Sequence, residues 1–202
     1  MKNRIIILLC AVLMSAVCAK AQVYDGITQP NTYRIWLTAS QPQSGGEATF
    51  SSFVGYKYNI AKWVNVTGIA NYNFSAKAFS PAVWVNFNIC DWVYILSRNI
   101  YDAKANKYKQ TLSATVKIPY GFMVDATWDN AFNGDKWCDG DRLQVLGGYG
   151  YKRFVVNAGY SMRAHPGFIA NVRFKFTHGL WAQAKYDGGM KTYSLSVAYN
   201  FN

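Results

Sequence analysis

Tyr193-Ser194-Leu195-Ser196-Val197-Ala198-Tyr199-Asn200-Phe201 places a large apolar side chain at nearly every second position and a small or polar one between. A period of two belongs to a β-strand with one apolar and one polar face. The same beat recurs back to about Tyr33, interrupted by turn residues roughly every ten to fifteen positions. The chain reads as all-β.

Its first residues follow a different rule. Lys2 and Arg4 precede the apolar run Ile5 to Met14, and Ala19-Lys20-Ala21 forms an A-x-A cleavage site. These are the three parts of a secretory signal peptide. The run is too short to span a bilayer, which takes about 20 apolar residues. Residues 1–21 are therefore expected to be a removable leader and 22–202 a single barrel domain. Lipidation at Cys18 is the alternative, but Val17 is a poor residue before a lipidated cysteine. The leader carries Lys2, Arg4 and Lys20, so the remaining chain has 18 basic and 10 acidic residues, a formal charge of +8.

Alternation alone does not say which face is wet. A soluble sandwich or barrel turns its apolar face inward, and a membrane barrel turns it outward to lipid. Composition decides between them. Charged residues make up 15% of the chain, against about 25% in ordinary globular proteins. The polar faces are instead Ser, Thr, Asn and Gly, which suit a crowded, water-lined interior. Aromatic residues reach 17% and gather towards strand ends, as at Tyr56, Tyr58, Trp63, Tyr149, Tyr151, Tyr199 and Phe201. Girdles at the membrane interfaces need them there. After the leader no apolar run is long enough for a helical span.

Twelve strands of about 9–11 residues fit this pattern, as a tilted span requires. They fall near 32–40, 48–58, 62–73, 81–89, 91–101, 109–118, 121–130, 142–151, 153–163, 167–177, 179–187 and 191–201. Short turns at 59–61, Cys90, Pro119-Tyr120, Lys152 and His178 alternate with longer links such as 41–46 and 131–141. Barrels of this class have short periplasmic turns, longer extracellular loops and an even strand count. The expected fold is an antiparallel up-and-down transmembrane β-barrel of twelve strands, with ten as the alternative.

The last strand resembles the C-terminal assembly signal of Gram-negative outer-membrane proteins, an alternating aromatic and apolar strand ending in Phe. Tyr193, Leu195, Val197, Tyr199 and Phe201 fit it, and Asn202 departs by one position. The resemblance covers about ten residues. It implies an outer-membrane location, outer-membrane lipid as the surroundings, and the outer-membrane assembly machinery as a partner.

Parity along each strand then assigns an interior. Arg34, Lys117, Asp125, Arg173, Lys175 and Lys185 are expected to line the lumen, with Arg34, Arg173, Lys175 and Lys185 forming a basic arc around the barrel seam. Asp129 and Asp187 join Asp125 as counter-ions, leaving five bases against three acids. Bulky inward Trp36, Phe53 and Trp181 point to a constriction. Arg98, on the same parity as Trp92, Tyr94 and Leu96, reads as an outward residue that snorkels to the interface. Cys90 and Cys138 fall at opposite ends, about 25 Å apart across the hydrocarbon, whereas a disulfide needs Cα atoms within about 7 Å.

Other chemistry finds little support. His165 and His178 lie at opposite ends and cannot share a catalytic site. Asp139-Gly140-Asp141 lacks the EF-hand pattern and its closing Glu. Gly147-Gly148-Tyr149-Gly150 precedes no helix and reads as a bend in the wall rather than a phosphate loop. No enzyme activity, cofactor, metal site or nucleic-acid partner is expected. The reading is a porin-like channel for small solutes with a mild anion preference. The alternative is a non-conducting barrel that works in adhesion, assembly or structure through its extracellular loops. Trp36, Phe53 and Trp181 discriminate: if they meet across the axis, transport fails.

Overall fold

The computed structural model describes residues 31–104, 106–132, 141–177 and 179–201. The expected leader, Cys138, Asp139 and His178 lie outside the described residues. Twelve strands follow in order: β1 (Thr32–Pro42), β2 (Thr49–Ala61), β3 (Val64–Asn73), β4 (Ala78–Cys90), β5 (Val93–Asp102), β6 (Lys107–Lys117), β7 (Phe122–Phe132), β8 (Arg142–Tyr151), β9 (Phe154–Arg163), β10 (Gly167–Lys175), β11 (Leu180–Asp187) and β12 (Thr192–Phe201). Each pairs antiparallel with its neighbours in sequence, and β1 also pairs with β12 from Tyr33↔Phe201 to Pro42↔Thr192. The sheet is a closed barrel, so no strand edge is left open. The ten-strand alternative is excluded.

Burial runs inside out. Leu37 (52% exposed) and Val172 (44%) stand on the open outer face, while Asn65 and Thr115 (2% each) are buried. Inward polar side chains satisfy one another across strands, as in Thr38–Ser196 (2.9 Å), Ser113–Thr127 (2.9 Å), Asn86–Asn65 (2.8 Å) and Asn157–Asn171 (3.0 Å). Apolar residues outside and a hydrogen-bonded polar wall inside is the arrangement of a barrel that spans lipid.

Aromatic side chains mark both rims of the outer face. Tyr33 packs on Tyr56 (4.7 Å between ring centroids) and on Phe201 (5.6 Å), and Phe122 packs on Tyr149 (5.0 Å), all near the short turns. Tyr186 meets Tyr193 (5.1 Å) near the long loops. The two described chain ends, at β1 and β12, lie at the short-turn end.

Three local departures from the sequence pattern have plain causes. The first hairpin of short turns falls at residues 62–63 rather than 59–61, because β2 continues through a bulge between Asn59 and Ala61. β4 starts at Ala78, ahead of Pro81, because β3 pairs with it from Ala78 whereas its pairing with β5 begins at Ala82. Pro81 thus sits where no ladder donor is required on that side. Gly148 does not simply let the wall bend: a Cβ there would overlap Asn157 Oδ1, so its absence makes room for the Asn157–Asn171 pair.

The fourth departure reverses a face. Arg98 pairs directly with Trp84, and its guanidinium lies 5.4 Å from the Trp84 ring centroid. Trp84 in turn packs on Phe53, whose neighbour Trp36 meets the buried Trp181. Arg98 therefore points inward and does not snorkel. Both faces of β5 carry apolar residues, Val93 and Ile95 on one and Tyr94 and Leu96 on the other. Alternation could not set its phase. A register shift between Asn88 and Cys90 just before the strand removed the remaining cue.

Candidate functional site

One belt of aromatic side chains joins several strands inside the barrel. Trp36 on β1 and Trp181 on β11 both pair with Ala198 of β12. This small residue lets the two indoles meet over it, edge to face, at 4.4 Å. Trp36 also packs on Phe53 (5.1 Å), and Phe53 on Trp84 of β4 (5.4 Å). An arginine closes each end of the row: Arg173 lies 4.8 Å from the Trp181 centroid and Arg98 lies 5.4 Å from that of Trp84. A guanidinium over an indole face is held by the ring quadrupole while its edges stay available for hydrogen bonds. Arg173 is further oriented by Gln183, whose Oε1 accepts from Nε and Nη2 at 3.3 and 3.0 Å.

The ring contacts run from β11 through β1 and β2 to β4. Trp181 is buried at 1% exposure. Trp36, Phe53 and Trp84 are half-buried. On the far wall, six strands from β1 in a twelve-stranded ring, stand Asp125 and Asp129. Asp125 accepts from Thr115 Oγ1 (2.6 Å) and Thr127 Oγ1 (2.8 Å), and Asp129 from Gln144 Nε2 (2.8 Å). Arg98 is within Coulombic reach of both carboxylates and of Arg173. The belt thus opposes an aromatic, arginine-ended half to an acidic, hydroxyl-rich half.

The six residues singled out from sequence are not gathered in one place. Arg34, low on β1, donates from Nε to Asn200 Oδ1 (2.7 Å). Lys117, at the short-turn end of β6, lies 5.9 Å from the Tyr94 ring centroid. Lys175 is buried at the short-turn end of β10, opposite Trp181. Asp125 and Arg173 belong to the belt. Lys185 lies towards the long loops and pairs with Asp187 (3.1 Å). Arg34 lies on β1, Arg173 and Lys175 on β10 and Lys185 on β11, with β12 between β1 and β11.

Sequence reasoning missed Arg98, Trp84, Lys57 and the partner of Asp187. Trp84 shares parity with Asn86 and Asn88, a signal that would have placed it and its pairing partner inside. Lys57 is buried opposite Thr67, on the inward face of β2. Asp187 receives both Arg142 Nη1 (2.9 Å) and Nη2 (2.6 Å). This contact joins β8 to β11 over the two strands between them, so it runs through the interior at the long-loop end. Arg142 Nη2 also donates to Ser161 Oγ (2.9 Å).

The His165 region does not form a catalytic cluster. Ser161 is fully buried, and its hydroxyl donates to the backbone carbonyl of His165 (2.7 Å) rather than to the imidazole. Asp141 accepts from Trp128 Nε1 (3.0 Å) and from Arg163. Among the described residues no group of three or more metal-ligating side chains comes together.

No family model matches the chain, and no curated protein does. Solved structures do. The KdgM porin aligns with a TM-score of 0.58 at 10% identity, over 84% of this chain and 98% of that one, and it has also been solved in complex with disordered oligogalacturonate. An outer-membrane channel from Pseudomonas putida F1 aligns equally well, at 10% identity over 91% and 99%. The fold is that of known porins. At this identity the likeness concerns the fold, and the lumen residues must be argued from this chain itself.

Proposed function

We propose that the chain is an outer-membrane channel of a Gram-negative bacterium that passes small solutes passively and favours anions. The inside-out barrel supports the membrane setting, with lipid against its apolar belt. The leader ending at Ala21 and the aromatic last strand fit export and insertion by the outer-membrane assembly machinery. The observation that carries anion preference is the distribution of inward charge. The short-turn half bears Arg34, Lys57, Lys117 and Lys175 on strand faces turned inward, against Asp125. A basic passage with low-dielectric walls concentrates anions. The long-loop half is nearer balance, because Asp187 holds both Arg142 and Lys185.

A solute-flux assay in liposomes tests this reading. Vesicles carrying the refolded barrel are expected to admit a small organic anion faster than a cation of equal size. Changing Arg34 and Lys117, both partly exposed, together to alanine is expected to reduce that preference by about two- to fivefold, the size of screened charge effects in a wet site. Equal rates for both ions, unaffected by the double change, would remove the anion preference. No flux of either ion would favour the non-conducting alternative.

A further inference from the structure

On β9 to β12 the outward residue two places below the long-loop girdle is apolar: Ala158 below Tyr160, Ala170 below Phe168, Ala184 below Tyr186 and Leu195 below Tyr193. β5 and β6 break that rule. Below the outward pair Tyr101↔Tyr108 stands the pair Asn99↔Gln110, on the face that carries the exposed Val83 and Leu112. Two residues of a tilted strand amount to about 5 Å of depth. The amides therefore lie just inside the girdle, where an unpaired polar group costs free energy. Asn99 is served from within the wall. Its Oδ1 accepts from Tyr108 Oη and from Gln110 Nε2 (3.4 Å), and its Nδ2 donates to Ser97 Oγ (3.2 Å). Gln110 is half-buried, and its Oε1 has no partner among the described residues. The rim directly above carries cations. Lys104 and Lys107 flank the β5–β6 turn, and Lys104 Nζ donates to the carbonyl of Ala76 (2.9 Å), next in the chain to Lys77. All three lysines are exposed. Against them stands Asp102, whose Oδ1 already accepts from the Lys104 amide (3.1 Å).

We infer that this strip of the outer wall, from the lysines down to Gln110, binds a phosphorylated glycolipid of the outer leaflet. Its phosphate meets Lys77, Lys104 and Lys107, the amide linkage of an acyl chain meets Gln110, and the chain runs down over Val83, Leu112 and Ala114. The order of groups along the strip is the order of groups along such a lipid. Lysine is a point-charge partner for phosphate, and a basic edge beside a bilayer draws anionic headgroups. Gln110 Oε1 needs an N–H, which an amide-linked acyl chain has and an ester-linked chain lacks. Below the amides the face is apolar, as an acyl chain requires. A second copy of the barrel fits the strip less well. Packed symmetrically in the same bilayer, it would bring its own Lys77, Lys104 and Lys107 to the same height, like charge against like.

This inference rests on the outer-membrane reading, with the long loops in the outer leaflet, and not on conduction. Native mass spectrometry of the full barrel in detergent would rank three probes: lipid A, with phosphates and amide-linked chains; phosphatidic acid, with a phosphate and ester-linked chains; and ceramide, with an amide-linked chain and no phosphate. Lipid A is expected to bind about tenfold more tightly than either of the others. Lys77→Ala with Lys104→Ala should weaken lipid A and phosphatidic acid by about tenfold. Gln110→Leu should weaken lipid A by about three- to tenfold and leave phosphatidic acid unchanged. Heat-modifiable mobility checks the folding of each variant, and Lys77→Arg with Lys104→Arg should keep the binding. Phosphatidic acid binding as tightly as lipid A, or a Gln110→Leu barrel with full lipid A affinity, would overturn the site. So would a dimer in lipid-free detergent that Gln110→Leu dissociates, because the occupant would then be a second copy. A barrel that conducts anions and retains no lipid A would overturn the site and leave the channel reading standing. Lipid A binding as expected in a barrel without conductance would support the site and remove the channel.

Discussion

Asp187→Ala is expected to cost the folded barrel about 3–5 kcal/mol, the usual loss when one partner of a buried ion pair is removed. The Arg142 and Asp187 side chains are 9% and 6% exposed, and both guanidinium nitrogens engage the carboxylate. Alanine leaves Arg142 buried with Ser161 as its remaining side-chain partner among the described residues, and it takes from Lys185 the carboxylate of its ion pair. It also removes the acceptor of the Met190 amide in the turn that follows β11 (3.1 Å). The three losses add at one point of the long-loop end, where β8 and β11 are tied together over β9 and β10. Urea titration of the barrel in lipid vesicles, read by gel mobility, would measure the change. Exchanging the two residues, Arg142→Asp with Asp187→Arg, should recover part of it. A loss under about 1 kcal/mol would mean that water reaches the pair and that the tie does little for the fold.

Leu37→Arg is expected to destabilise the barrel by about 2–4 kcal/mol in a bilayer, the cost of an arginine near the midplane of the lipid face. Leu37 is the middle of five outward positions on β1, between Tyr33 at the short-turn girdle and Gln41 near the long loops. It is half exposed in the barrel, so in water the same substitution would be almost free. The comparison that matters is therefore between bilayer and detergent or between positions. Arginine at Gln41, near the interface, should cost only about 0–1 kcal/mol. If Leu37→Arg were tolerated as well as Gln41→Arg in vesicles of ordinary thickness, the apolar belt would not be facing hydrocarbon.

Most of the architecture was legible because a lipid-facing strand must alternate. Wherever one face was apolar and the other polar, as in β6, β10 and β12, the phase and the inward residues could be read directly. β5 resisted because Tyr94 and Leu96 turn inward beside Val93 and Ile95 turned out, so the pattern carried no phase. Its inward arginine, one end of the belt, was placed outside for that reason. The Arg142–Asp187 tie was unreadable for a different cause. β8 and β11 are neighbours neither in sequence nor in the sheet, and only the curvature of the closed wall brings their side chains together. The bulk of Trp36, Phe53 and Trp181 was visible in the sequence. That Trp36 and Trp181 meet over Ala198 depends on the seam register between β1 and β12.

Single-channel recording of the refolded barrel in a planar bilayer, with reversal potentials taken across a salt gradient, bears most directly on the claim that this inside-out barrel is a conduit. Stepwise currents whose reversal potential has the sign of anion selectivity are the expected result. A folded, heat-modifiable barrel that inserts and carries no current would contradict it, and would turn attention from the lumen to the loops.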